Sequence, residues 1–188
     1  MTTMKSPNLG AIIQKILRDV EVELRDEFDQ NFERGGFFLE AWQRRKSPLR
    51  GDGALLQSTG ALRRSIDSKV VGNTLVFFST LPYARIHNEG GAIKVTRKMK
   101  KYFWHKYYES IGGWGRKKDG SVRNTKSNRK KTVEADFWKA MALMPAGKSI
   151  RIPRRRFLGN NAVVEVIVRR VISDCLSDYF DKFEIVES

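Results

Sequence analysis

The chain has 188 residues, 40% of them hydrophobic, with 36 Lys and Arg against 21 Asp and Glu for a formal net charge of +15. That length carries one ordinary hydrophobic core, so residues 1–188 read as a single domain. The one cysteine, Cys175, excludes an intramolecular disulfide framework, and no run of about 18 apolar residues is present to span a membrane. The opening MTTMKSPNLG has no leader-like apolar run, so a soluble protein made in a cytoplasm is expected. The charge points to polyanions or acidic neighbours as partners, the alternative being a basic surface with no anionic ligand.

From Leu9 to Phe32 the apolar residues recur at three-and-four spacing, which predicts a helix from about 7 to 34 with Ser6 as cap, Pro7 in the first turn and Gly35-Gly36 as stop. Residues 37–57 mix aromatics with Pro and Gly and carry the turn pair Asp52-Gly53, so irregular structure is expected. TGALRRSI predicts a short helix capped by Ser58 or Thr59, with Leu62 and Ile66 inward and Arg63 and Arg64 outward. SKVVGNTLVFFS reads as a hairpin turning at Gly72-Asn73, because both residues tolerate positive φ. Pro82 then opens a second short helix, YARIHNE, which Gly90-Gly91 closes, and residues 92–96 make a third strand.

Residues 97–131 hold thirteen Lys and Arg against two acids, +11 of the total +15. KYFWHKYYES interleaves aromatics with charge and fits an amphipathic helix or a strand pair, whereas GRKKDGSVRNTKSNRKK lacks the apolar side chains to offset its ordering entropy and is expected to be mobile. Thr132 caps a helix running through Met144, and residues 148–152 form a fourth strand pairing with 92–96, which makes 97–147 a protruding basic insertion. A last helix, capped by Asn160 or Asn161, carries a wide apolar face from Val163 to Phe180. The sum is an α+β fold: a mostly antiparallel sheet of about four strands, a long N-terminal helix, a C-terminal helix and a long basic insertion between two strands.

The motifs for catalysis are weak. Only His87 and His105 offer imidazoles, and no Cys or His lies at metal-finger spacing. His87-Asn88-Glu89 has the composition of a nuclease fragment, but consecutive helical residues point apart and cannot converge on one ion. GGWGRKKDGS lacks the order of a phosphate-binding loop, and Cys175 on an apolar stripe reads as a structural thiol. No cofactor, metal or catalytic residue is assigned. The basic insertion supports three readings: DNA contact through Lys100, Lys101, Arg116, Lys117, Lys118, Arg129, Lys130 and Lys131 with Trp104 stacking on bases, a partner-binding arm, or a solvated loop.

TG-x-L-x-x-S-I at 59–66, a hairpin, YA-x-I-H-x-x-G-G at 83–91 and IPRRRFLG at 152–159, followed by a last helix, resemble the phage virion morphogenesis family, tail-completion proteins of Mu-like and other tailed phages. The resemblance covers most of the chain and matches Gly60, Leu62, Tyr83, Ala84, His87, Gly90, Pro153, Arg154, Arg156, Phe157 and Gly159. It implies a structural, non-enzymatic virion protein of tail completion and head-tail joining. Such a protein forms a homo-oligomeric ring, docks on other tail or neck proteins, contacts DNA in the channel and has no membrane partner. It is assembled in the host cytoplasm and resides at the tail or head-tail junction of the virion. Leu62, Tyr83 and Phe157 are then core or joint residues, and Arg154, Arg155, Arg156 and His87 are the assembly interface. The alternative is a DNA-binding protein or nuclease that uses the basic arm.

Overall fold

The computed structural model of the chain describes residues 8–45 and 54–181. Helix α1 spans Leu9–Arg34. Asn8 is its cap, accepting from the Ala11 amide at 3.1 Å, while Ser6 and Pro7 lie outside the described residues. Gly35, left-handed at φ 66°, ends the helix by donating to Asn31 O. The helical period sets Val20, Leu24, Phe28 and Phe32 on one buried stripe.

The segment expected to be irregular opens with a tight antiparallel ribbon of β1 (Gly36–Phe37) and β2 (Glu40–Ala41). Asn31, fully buried, creates it: its Oδ1 accepts from Phe38 N at 2.7 Å, and Trp42 N reaches back to Gly35 O at 2.9 Å. The Asp52-Gly53 turn lies outside the described residues.

Helix α2 is the single turn Ala61–Arg64. Gly60 takes the cap position at φ 69° where Ser58 or Thr59 was expected, because the chain enters from a left-handed bend that a residue with a Cβ disfavours. Thr59 still contributes, its Oγ1 accepting from Ala61 N at 3.3 Å. Leu62 is buried, whereas Ile66 begins the next strand and is half-buried. Arg63 is not free in solvent: it pairs with Asp29 and Glu33 of α1.

Strands β3 (Ile66–Val71) and β4 (Thr74–Ser79) form the Gly72-Asn73 hairpin in the register expected, Val71 facing Thr74. Helix α3 (Ala84–Glu89) follows Pro82 and stops at Gly90. Strand β5 (Gly91–Lys94) precedes α4 (Arg97–Gly112) and α5 (Lys126–Leu143), and β6 (Ser149–Ile152) returns antiparallel to β5, Gly91 facing Ile152. Helix α6 (Ala162–Phe180) is capped by Asn161, which accepts from Val164 N at 2.9 Å.

The fold is therefore α+β. The four expected strands pair as two separate ribbons, β3-β4 and β5-β6, with β1-β2 as a third. One core joins α1 to α6 through Val20, Leu24, Phe28, Phe37, Val164 and Ile167; a second gathers Phe32, Trp42, Leu62, Ala84 and Phe157, and Leu158 packs against both. Each buried side chain of this size contributes about 1.5–3 kcal/mol.

Residues 115–131 differ from the mobile segment expected of their composition. Helix α5 begins six residues before Thr132, capped instead by Thr125, which accepts from Asn128 N. Asn128 is 4% exposed and ties the connecting loop together: its Oδ1 accepts from Gly115 N at 3.0 Å, and its Nδ2 donates to Gly115 O at 2.8 Å and Arg123 O at 2.6 Å. One buried amide thus supplies the order that too few apolar side chains could not.

Candidate functional site

The second and third motifs meet at a joint between α3 and the strand leaving β6. Asn88 Oδ1 accepts from both Phe157 N (2.9 Å) and Leu158 N (3.0 Å), and its Nδ2 donates to Leu158 O (3.1 Å). Arg155 N donates to His87 O at 2.8 Å. These bonds continue the β5-β6 ladder past Gly91, so that residues 87–94 and 149–158 are joined along their length. Gly90 is at φ 76°, and a Cβ there would lie 2.9 Å from Arg154 N. Phe157, 1% exposed, drops from the joint into the second core, and Trp42 Nε1 holds Arg156 O from the other side at 2.6 Å.

The three consecutive arginines occupy three different environments. Arg154 is exposed. Arg155 is 8% exposed, its Nε donating to Gln43 O at 3.0 Å, and no carboxylate among the described residues pairs with it. Burial pushes its pKa down, and the Arg45 charge adds to that shift. Arg156 lies over the Phe37 ring, 4.5 Å from its centroid, and donates to Asn160 O at 2.6 Å. His87 is half-buried, its Nδ1 wholly enclosed without a partner, and its pKa is lowered by burial first and by Arg155 second. Of the predicted joint residues, Leu62 and Phe157 are buried, but Tyr83 is 43% exposed and touches His87 edge-on at 6.1 Å between ring centroids. Tyr83 follows Pro82 on the outer side of the turn into α3, so the helix buries Ala84 in its place.

His87, Asn88 and Glu89 do not converge. Asn88 is spent on the joint, Glu89 pairs with Arg85 at 2.9 Å, and no group of three metal-ligating side chains occurs among the described residues.

The basic residues collect on the α4-α5 hairpin, whose two helices pack principally on each other. Its root is closed by Val95 N to Lys148 O and Gly147 N to Val95 O, both 2.8 Å. Phe103 and Trp138 stack at 5.9 Å and hold the pair together; Trp104 stacks with Tyr108 at 6.0 Å in a separate cluster with Tyr107. Lys101, Arg116, Lys117, Lys118, Arg129 and Lys130 are exposed, as are Tyr102 and Tyr108, while Lys100 and Trp104 are half-buried. Lys131, also half-buried, donates its ammonium to Gly113 O. The DNA or partner residues expected from sequence therefore share one arm, and the interface residues His87 and Arg154–Arg156 share the joint. Asn88, Trp42 and Asn128 were missed. Asn88 had a signal, since it stands inside the quoted motif between His87 and Gly90.

A family model described as the phage virion morphogenesis family matches residues 7–177. No curated protein and no solved structure matches the chain significantly. Since the match runs from the start of α1 to the last turns of α6 and takes in both the joint and the arm, the chain belongs to the phage virion morphogenesis family and has a structural role in the phage virion.

Proposed function

We propose that this protein completes the phage tail and helps join it to the filled head, acting by docking on tail-tube or connector proteins without a catalytic step. The joint carries this reading. The motifs that carry the family resemblance are spent on holding two backbone segments together, through the Asn88 side chain, the Arg155 N–H and the close approach at Gly90, which builds a rigid frame. The protein assembles as a homo-oligomeric ring in the host cytoplasm and stays at the head-tail junction, each copy a single unit with its arm projecting. With +15 per copy, subunits repel at close range, softened by screening beyond about 8 Å at physiological salt. The arm therefore faces acidic neighbours or the DNA channel.

The test is complementation of a gene-null phage. Wild-type protein is expected to restore joined, infectious particles, and a variant lacking 97–146 is expected to give separate heads and tails by electron microscopy. The closed root lets the two ends of that deletion meet. Normal joining without the gene would sink the reading.

The exposed lysines and arginines of the arm beside exposed Tyr102 and Tyr108 favour a second role for it, contact with DNA. Binding to a duplex should be measurable at about 50 mM salt and fall steeply by about 200 mM; weak salt dependence would reject phosphate contact.

A further inference from the structure

Beside the joint, a cavity of about 320 Å³ opens between the Leu55–Thr59 segment, α2 and α3, and its polar lining is Arg45, Arg155, His87, Tyr83, Ser58 and Thr59. Every charged group in that lining is positive or can become so. Arg155 is nine-tenths buried, and Gln43 O takes only its Nε; the other four N–H donors of the guanidinium have no acceptor among the described residues, and its two terminal nitrogens are not enclosed by protein. Arg45 donates to Ala54 O at 2.8 Å and pairs with no carboxylate among the described residues. His87 Nδ1 is enclosed and unpartnered. Two guanidiniums line this one cavity, close enough for Arg45 to depress the pKa of Arg155, and together they present N–H donors that no acceptor among the described residues takes and that an anion would complete.

The shape narrows the choice of anion. Arg45 and Arg155 also line a groove of about 1220 Å³ that continues along β6, with Arg44, Arg151 and Arg154 on its walls; Glu89, the one acid among the described residues that line it, is already paired with Arg85. An open basic groove running into a narrow cavity suits a polypeptide that places one side chain in the cavity. The planar fork of a guanidinium matches the two oxygens of a carboxylate. Duplex phosphates, by contrast, follow exposed cations and do not reach a guanidinium that is 8% exposed.

We propose that this cavity is a carboxylate socket: an Asp or Glu side chain of a partner virion protein inserts between Arg45 and Arg155, and the acidic segment around it lies along Arg44, Arg151 and Arg154. The identity of the partner rests on the docking function above; the socket itself does not.

The test uses the full chain labelled with ¹⁵N, titrated with acetyl-Glu-Leu-Glu-amide, its Gln-Leu-Gln counterpart, inorganic phosphate and a short single-stranded oligonucleotide. The Arg155 Nε–H and His87 ring resonances should move saturably with the acidic peptide, and about tenfold more weakly with the Gln peptide. Arg45→Gln should weaken the acidic peptide about tenfold while the rest of the spectrum stays in place. Equal binding of the two peptides, or phosphate or oligonucleotide moving these resonances at lower concentration than the acidic peptide, overturns the socket. So does Asp52→Asn shifting both resonances in the free chain, since the occupant would then come from the chain's own 46–53 segment. Peptide binding in a protein whose loss leaves phage particles joined would retain the socket and discard the docking function.

Discussion

Asn88 holds Phe157 through the backbone: one side-chain oxygen accepts two consecutive amides, Phe157 N and Leu158 N, while the amide nitrogen of the same side chain returns a bond to Leu158 O. The side chain thereby does the work of a strand partner where α3 offers no extended edge, and it fixes the position from which Phe157 enters the core. Asn88→Ala strands these groups in a partly buried site, and a loss of about 2 kcal/mol in urea unfolding is expected. Asn88→Asp keeps the double acceptor but replaces the donor by a carboxylate oxygen facing Leu158 O, so it should lose stability too, and more at neutral pH than at pH values where the carboxyl is protonated. A loss below about 0.5 kcal/mol for Asn88→Ala would mean that water replaces the side chain freely.

The parts of this fold that were legible in the sequence are those whose cause is local. The α1 stripe follows from helical period, and the β3-β4 register follows from Gly72-Asn73 between two β-branched runs. What was illegible depends on one polar side chain reaching across the chain. Asn31 makes the β1-β2 ribbon and Asn128 orders the arm's loop, and neither looks different in sequence from any other helical asparagine. The candidate site divides in the same way. Three adjacent arginines are one motif in the sequence, yet only tertiary packing separates the exposed Arg154, the buried Arg155 and the ring-stacked Arg156.

Gly90 and Gly72 make a matched pair. Both have positive φ, but Gly90 combines φ 76° with ψ −180°, a region almost confined to glycine, and its Cβ would meet the Arg154 backbone, whereas Gly72 faces open space. Gly90→Ala should therefore cost about 3 kcal/mol and Gly72→Ala about 1 kcal/mol, read from denaturant midpoints at constant slope. Equal costs would show that neither the extended positive-φ conformation of Gly90 nor its close approach to Arg154 adds to the penalty of a positive φ.

His87 predicts a pH dependence of stability. Its folded pKa lies below the ordinary value of about 6.5, so on acidification the unfolded chain takes up a proton before the folded one does. Its contribution is complete above about pH 6.5 and is lost as pH falls toward the folded value. Wild-type protein should lose more stability than His87→Gln between about pH 7.5 and about pH 5.5, and the His87 ring should titrate below the usual imidazole midpoint by NMR. Parallel losses in the two proteins would assign the pH dependence to other groups.

The arm offers the sharpest separation of order from charge. Asn128→Ala removes three side-chain bonds to the 113–125 loop without touching a lysine or arginine, so the net charge of the arm is unchanged. Amide exchange in residues 113–125 should accelerate by at least about tenfold, while α1 and α6, which share no core with the arm, keep their protection. If DNA contact depends on charge alone, the salt slope of binding survives the substitution. If a preformed loop presents Arg116, Lys117 and Lys118 together, affinity falls while the slope holds, because ordering the loop must then be offset on binding. Unchanged exchange would show that the Arg116–Val122 bridge and the capping by Thr125 suffice to hold the loop.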